Sequence, residues 1–132
     1  MRGLDTNFLV RYITADDARQ TNVAERLMER SSVAGEPLFI PMVVLCELVW
    51  VLSRIQGQTK EDIIQALDYI LETRLFQVEN DAMVQRSLEA FRNGRADFGD
   101  YLTGEICRAA GCEDGVTFDG GLKGAVGFTL LH

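Results

Sequence analysis

Histidine is almost absent from this 132-residue chain, whose single histidine is His132, the last residue. A Ser-His-Asp or Cys-His centre therefore has no internal histidine to act as its base, and a histidine-ligated zinc site lacks its ligands. Basic residues are also in the minority, with 13 Lys and Arg against 20 Asp and Glu and a net charge of -7. The strongly basic composition of common nucleic-acid binders is thus excluded. Any chemistry here must depend on carboxylates.

Long apolar runs and paired cysteines are scarce as well. The longest apolar run, Met42–Leu52, is interrupted by Glu47 and is shorter than the roughly 20 residues that a membrane span needs. No segment with the pattern of a signal peptide opens the chain, so we expect a cytoplasmic protein without membrane attachment. The three cysteines, Cys46, Cys107 and Cys112, contain no C-x-x-C pair and are expected to be buried free thiols.

Short apolar runs alternate with helical patterns along the whole chain. Strands are predicted at Arg2–Leu4, Leu38–Ile40, Phe76–Val78, Val116–Phe118 and Phe128–Leu131. Helices are predicted to begin at Asp5, Asp16–Asp17, Pro41, Thr59, Asn80 and Asp97. Strands separated by helices predict an α/β fold, here a three-layer α/β/α domain with a central, mainly parallel sheet of four to five short strands. No repeat or linker interrupts the pattern, which predicts one domain over residues 1–132.

Two acids follow predicted strands directly. Asp5 comes after the first strand, and Asp119 comes after Val116–Phe118. Ligands of open parallel sheets bind outside the carboxyl ends of the strands, which makes both acids candidate ligands or catalysts. Each has a structural alternative, since Asp5 can cap the following helix and Asp119-Gly120 can form a turn.

Glu47 lies in the middle of the apolar run Met42–Leu52. Its helical neighbours three and four positions away are apolar, so no local Lys or Arg can pair with it. A buried, unpaired carboxylate is costly and normally finds a cation, which favours a metal ligand. The alternative is a glutamate on an exposed edge of the helix.

Asp97 and Asp100 are three residues apart at the start of a predicted helix, so they share one helical face. A helix cap formed by Asp97 with Asp100 as its capping-box partner explains both acids. That cap does not explain Gly99 and Gly104, which are poor helix formers and could admit another backbone or a hydrated ion.

Two further patterns favour structure over chemistry. The glycines of residues 120–127 match neither dinucleotide- nor nucleotide-binding motifs and are expected to form a mobile loop. Arg86, Arg92 and Arg95 form a modest basic patch that is either a solvated helix face or a contact for phosphate.

Four segments, taken in order, resemble the acidic motifs of PIN-domain ribonucleases. They are Leu4–Asn7, Val43–Leu52, Ala96–Leu102 and Thr117–Asp119. The closest resemblance is to the VapC-type toxins of bacterial toxin–antitoxin pairs, and it spans essentially the whole chain.

The resemblance assigns roles to individual residues. Asp5, Glu47, Asp100 and Asp119 match the catalytic and metal-binding acids, and Asp97 matches an additional metal-binding acid. The resemblance also implies supporting roles for Asn7 and Thr117, and RNA contacts for Arg11, Arg92, Arg95 and Lys123. One departure is that Gly120 and Gly121 follow the last acid, where family members often have a basic residue.

The implied activity is Mg²⁺- or Mn²⁺-dependent endonucleolytic cleavage of RNA with one or two ions, a choice of metal that suits hard carboxylate ligands. The implied partners are an RNA substrate, a small VapB-like antitoxin and a second copy in a homodimer. Two alternatives stay open, which are a catalytically silent PIN-like binding module and another Mg²⁺-dependent α/β protein of phosphatase or receiver type. Against the latter, the residues after Asp5 and Asp119 lack the second acid and the lysine that such proteins need.

Overall fold

The computed structural model describes all residues, 1–132, as helices joined by very short strands. The strands are β1 (Arg2–Gly3), β2 (Leu38–Ile40), β3 (Phe76–Val78), β4 (Gly115–Thr117) and β5 (Phe128–Leu130). The helices are α1 (Thr6–Thr14), α2 (Ala18–Ala34), α3 (Met42–Ser53), α4 (Lys60–Glu72), α5 (Asp81–Asn93) and α6 (Phe98–Ala109), with a 3₁₀ turn at Gly120–Leu122. No helix is both long enough and apolar enough to cross a bilayer.

All strand pairs are parallel. The first sheet has the order β1-β2-β3, and β4 pairs with β5 in a second sheet. Parallel neighbours need a crossover connection, which α1–α2 and α3–α4 supply in the first sheet. The predicted α/β class and the parallel strands are confirmed. The sequence predicts one central sheet, whereas the strands form two separate sheets. Strands of two or three residues form only short hydrogen-bond ladders.

The chain divides into two compact units, Met1–Asp81 and Ala82–His132. The first contains β1–β3 with α1–α4, and its core includes Leu9, Ile40, Leu45 and Leu67, which are at most 1% exposed. The second contains α6, β4 and β5 with nearly all of α5. Its core includes Phe98, fully buried, whose ring meets that of Phe91 edge-on with centroids 6.3 Å apart. The single domain over 1–132 stays a prediction.

Carboxylates and a threonine start the helices where the sequence predicts. Asp5 Oδ1 accepts the Phe8 N–H at 2.9 Å, and Asp17 Oδ1 accepts the Gln20 N–H at 3.0 Å. At α4, the Thr59 hydroxyl accepts the Asp62 N–H at 3.2 Å while Asp62 accepts the Thr59 N–H at 2.9 Å. These bonds satisfy N–H groups that have no acceptor inside the helix.

Helix α3 is buried on one face only. Val44, Leu45, Leu48, Val49 and Leu52 are buried. The opposite face carries Val43 and Trp50, which are 63% and 58% exposed, and Glu47 lies on the same exposed face. The prediction that Glu47 is buried among apolar neighbours is therefore wrong, because an almost entirely apolar helix still presents one side to solvent.

Several local predictions need correction. Pro41, predicted as the start of a helix, is the cap of α3, and the helix itself begins at Met42. Asn80 has a positive φ of 52°, unlike the extended backbone of an ordinary helix cap. Residues 120–122, predicted as a mobile loop, form the 3₁₀ turn.

The cysteines are free as predicted, but their burial is less than predicted. Cys46 and Cys107 are half-buried, and Cys112 is exposed.

The two faces of α3 give a stability prediction. Leu48→Ala removes a fully buried side chain and should lower the free energy of unfolding by about 2–5 kcal/mol. Val43→Ala, on the exposed face of the same helix, is the matched control and should change it by less than about 0.5 kcal/mol. Urea unfolding measures both. Equal losses would contradict the assignment of the two faces.

The cap of α4 gives a pH prediction. Hydrogen bonds from Thr59 hold the pKa of Asp62 below its ordinary value of 3.8. The stabilisation is therefore present above the pKa of the unfolded chain and is lost as the pH falls through the lower folded value. The melting temperature of the wild type should exceed that of Asp62→Asn at pH 7, and the difference should shrink below pH ~4. A difference independent of pH would contradict the charged cap.

Candidate functional site

The carboxyl edge of the first sheet carries two acids. In the strand register, Arg2 pairs with Leu38 and Leu38 pairs with Phe76. Asp5, Pro41 and Glu79 are three residues after these paired positions, so each lies just beyond the carboxyl end of its strand. The carboxyl ends of parallel strands are the usual place for ligands, so Asp5 lies where the sequence predicts a site.

Glu79 is an acid at this edge that the sequence analysis missed. Its Oε1 accepts the Met42 N–H at the start of α3 at 2.9 Å, and its own N–H donates to the Ile40 carbonyl at 2.9 Å. The available signal was its position directly after the predicted strand Phe76–Val78, the same rule that selected Asp5. Its carboxylate satisfies the first turn of a helix that has no other side-chain cap.

Asp5 uses one of its two oxygens for structure. Oδ1 holds the Phe8 N–H, and Oδ2 makes no hydrogen bond within the chain. Asp5 therefore keeps a free carboxylate oxygen while it caps its helix.

Asn7 is exposed in the first turn of α1 and, together with Arg11, lines a cleft of about 400 Å³ between α1 and α2.

Glu47 lies on the exposed face of α3, in the same unit as Asp5. Burial and the negative charge of Glu47 together raise the pKa of the neighbouring Cys46 thiol. Glu47 forms no ion pair within the chain. Its carboxylate is therefore accessible to a cation from solvent.

In the second unit, two acids open α6. Asp100 Oδ2 accepts the Asp97 N–H at 3.0 Å, which is the capping-box contact expected from their spacing. The preceding residue is fixed as well, because the Ala96 N–H donates to the Tyr101 hydroxyl at 3.2 Å. Asp100 Oδ1 has no partner in the chain, so this acid too combines a cap with a free oxygen.

Asp119 forms the turn after β4. Its N–H donates to Thr117 Oγ1 at 2.9 Å, and its Oδ1 accepts the Gly121 N–H at 2.8 Å. A Cβ at Gly121 would lie 3.1 Å from that Oδ1 and 3.6 Å from the Ala96 backbone. The Asp119 turn therefore packs against the start of α6, which brings Asp119 into the region of Asp97.

Gly104 has a packing role rather than the ion-admitting role considered from the sequence. A Cβ at this position would lie 2.6 Å from Cε2 of Phe128. The glycine therefore makes room for the aromatic ring of β5 against α6.

The metal-binding potential of these residues depends on their donor chemistry. No group of three or more His, Cys, Asp or Glu side chains is arranged to hold a metal ion. Asp5, Asp100 and Asp119 nevertheless each retain one carboxylate oxygen beyond the one that a backbone N–H occupies. Such oxygens are the hard donors that Mg²⁺ and Mn²⁺ prefer, so each of these carboxylates is chemically suited to either ion.

The candidate RNA-contacting residues divide into paired and unpaired side chains. Arg11 donates to Asp16 at 3.0 Å and to Gln20 at 2.6 Å, and Arg92 forms an ion pair with Glu89 at 3.4 Å. Arg95 and Lys123 are exposed and form no ion pair within the chain.

The similarity of the chain to known proteins covers its whole length. It is 28% identical over 132 residues to a VapC ribonuclease of Aquifex aeolicus (strain VF5), which covers 100% of this chain and 96% of that protein. Among solved structures, it matches Mycobacterium tuberculosis VapC20, described as a Sarcin-Ricin loop cleaving toxin, with a TM-score of 0.43 and 22% identity over 96% of this chain and 95% of that one. The PIN domain family model matches residues 4–126. This chain therefore belongs to the PIN domain family.

Proposed function

We propose that this protein is an endoribonuclease that depends on Mg²⁺ or Mn²⁺ and acts as the toxin of a VapBC-type toxin–antitoxin pair. The observation that carries the proposal is the PIN domain match, which spans all five candidate acids. The full-length similarity to a VapC ribonuclease supports the same activity. Carboxylates are the only internal groups in this chain that suit such chemistry, since its one histidine is terminal.

The proposed roles follow the family motifs. Asp5 and Asp100 would hold the ion as primary ligands, Glu47 and Asp119 would complete the ligand set or orient the attacking water, and Asp97 would be an additional ligand. The ion would lower the pKa of a water molecule and offset the charge of the phosphate. Attack of water on phosphorus would break the bond to the 3′-oxygen, so the products would carry a 5′-phosphate and a 3′-hydroxyl.

Capping and metal binding are compatible in these acids. A helix-start N–H group fixes one oxygen of Asp5 and one of Asp100, which limits the rotation of the carboxylate. The second oxygen is then presented in a defined direction at little further cost in side-chain entropy. Thr117 supports Asp119 through the backbone, since its hydroxyl accepts the Asp119 N–H, while the Gly121 N–H fixes one oxygen of the Asp119 carboxylate. Asn7 supports the site from the first turn of α1.

RNA binding is proposed to depend on the exposed cations. Arg95 and Lys123 are free to contact phosphates directly, while Arg11 and Arg92 must first exchange their partners Asp16 and Glu89. Lys123 takes the place of the basic residue that directly follows the last acid in many family members. The proposed protein partners are a VapB-like antitoxin, which inserts an arginine among the acids, and a second copy of this chain in a homodimer.

Conservative substitution of the acids tests the activity. Asp5→Asn, Asp100→Asn and Glu47→Gln should each lower the cleavage rate by at least about 100-fold, since loss of even an outer partner of a metal costs about 10–100-fold. The assay incubates the protein with total bacterial RNA and Mg²⁺, Mn²⁺ or EDTA, and sequences the new 5′-phosphate ends. Because Asn caps a helix about as well as Asp, folding should survive, which circular dichroism checks.

Asp17→Asn is the matched control. Asp17 caps α2 through its Oδ1 just as Asp5 caps α1, but it belongs to no family motif. The Asp17→Asn variant should cleave RNA at the wild-type rate. If Asp100→Asn behaves like Asp17→Asn, both are only caps and the assigned site is wrong. If the folded wild type cleaves no RNA with either metal, the protein is a silent binding module.

Removal of the exposed cations should weaken RNA binding. Loss of one phosphate contact lowers the slope of log affinity against log salt by about 0.7 for single-stranded RNA. Arg95→Gln and Lys123→Gln should each show this decrease in fluorescence anisotropy titrations in Ca²⁺. Arg26→Gln, on the exposed surface of α2, is the control. Identical slopes for all three variants would place the RNA elsewhere.

A further inference from the structure

Helix α6 ends in a double hydrogen bond that involves two cysteines. Gly111 has a φ of 89°, and its N–H donates to the Arg108 carbonyl at 3.0 Å. The next N–H, that of Cys112, donates to the Cys107 carbonyl, also at 3.0 Å. This pair of bonds is the Schellman motif, in which the first residue beyond the left-handed glycine folds back over the last turn of the helix.

The Schellman motif places its first and last residues, Cys107 and Cys112, side by side. In many proteins these two positions hold apolar side chains that contact each other, and in this chain both are cysteines. The shared hydrogen bond limits their Cα–Cα separation to roughly 6–7 Å. Disulfides need a separation of about 4.4–6.8 Å, so the backbone allows a bond between the two sulfurs.

Both thiols also face one cleft. Cys107 and Cys112 line a cleft of about 310 Å³ together with Arg108 and Asp114. Cys112 is exposed and Cys107 is half-buried. A small reagent can therefore reach Cys112 from solvent, and Cys107 lines the same cleft.

We propose that Cys107 and Cys112 form a reversible dithiol–disulfide site whose oxidant is a peroxide. The Cys112 thiolate attacks the peroxide oxygen, giving a sulfenic acid and releasing water. The Cys107 thiol then attacks that sulfur, the S–S bond forms, and a second water leaves. Two thiols and one hydrogen peroxide thus give one disulfide and two waters.

The disulfide would fix the segment that leads into β4. This strand runs from Gly115 to Thr117 and leads to the turn at Asp119, and Asp114 accepts a hydrogen bond from Thr129 of β5. The bond would tie the end of α6 to the start of this segment. The site does not depend on the nuclease proposal, because none of its atoms belongs to the acid set.

Cys46 is the internal comparison. It lies on α3 and is the only cysteine of the first unit, so no second thiol of that unit can complete a disulfide with it. Mild oxidation should therefore leave Cys46 out of the link and join the other two cysteines.

The test is titration of the reduced protein with hydrogen peroxide, followed by counting of free thiols and peptide mapping by mass spectrometry. The thiol count should fall from the three of the reduced chain to one, with an intramolecular Cys107–Cys112 link. Dithiothreitol should restore all thiols. Cys46→Ser should still form the link, whereas Cys107→Ser should stop at a Cys112 sulfenic acid that dimedone traps.

A second measurement is independent of oxidation. One equivalent of phenylarsine oxide, which bridges neighbouring thiols, should protect Cys107 and Cys112 of the wild type from alkylation. In Cys107→Ser or Cys112→Ser, the remaining cysteine of the pair should still be alkylated. A link that includes Cys46, a link between two copies, or alkylation of both thiols despite the arsenical would each overturn the proposal.

Discussion

The first N–H groups of a helix have no acceptor inside the helix, and in this chain acidic side chains accept many of them. Asp5, Asp17, Asp62, Glu79 and Asp100 all do so, at distances of 2.9–3.0 Å. Two of these acids also lie just beyond a strand of the first sheet. Asp5 comes two residues after β1 and starts the next helix of the chain, whereas Glu79 directly follows β3 and starts α3, the helix that follows the neighbouring strand β2. The acidic composition is thus partly a consequence of how the helices begin.

The same interaction prepares carboxylates for chemistry. A carboxylate has two oxygens, and a cap uses only one of them. Asp5, Asp100 and Asp119 are therefore held in place by the fold while one oxygen of each stays available. In the proposed enzyme, divalent ions held by such oxygens would offset part of the negative charge of the acids. The net charge of -7 would then be compatible with a substrate made of phosphates.

In the second unit, two glycines allow close packing between segments. Gly104 admits the ring of Phe128, and Gly121 lets the Asp119 turn approach Ala96. These close approaches hold β5 and the Asp119 turn against α6 in a unit whose strands have only three residues each. Side-chain packing on the helix thus replaces the long hydrogen-bond ladders of larger sheets.

The sequence by itself determined the order and start of the elements, since caps such as Asp5, Asp17 and Thr59 act through neighbours within three residues. It also selected Asp5 and Asp119 as acids that follow strands. Tertiary structure decided what depends on distant partners. The exposure of Glu47 follows from which face of α3 packs inward, and the apolar sequence of that helix leaves both faces equally plausible. The role of Gly104 depends on Phe128, 24 residues away, and the position of Glu79 at the sheet edge depends on strand register. Helix capping depends on neighbouring residues and can be predicted from the sequence, whereas side-chain packing and strand register depend on contacts between distant segments.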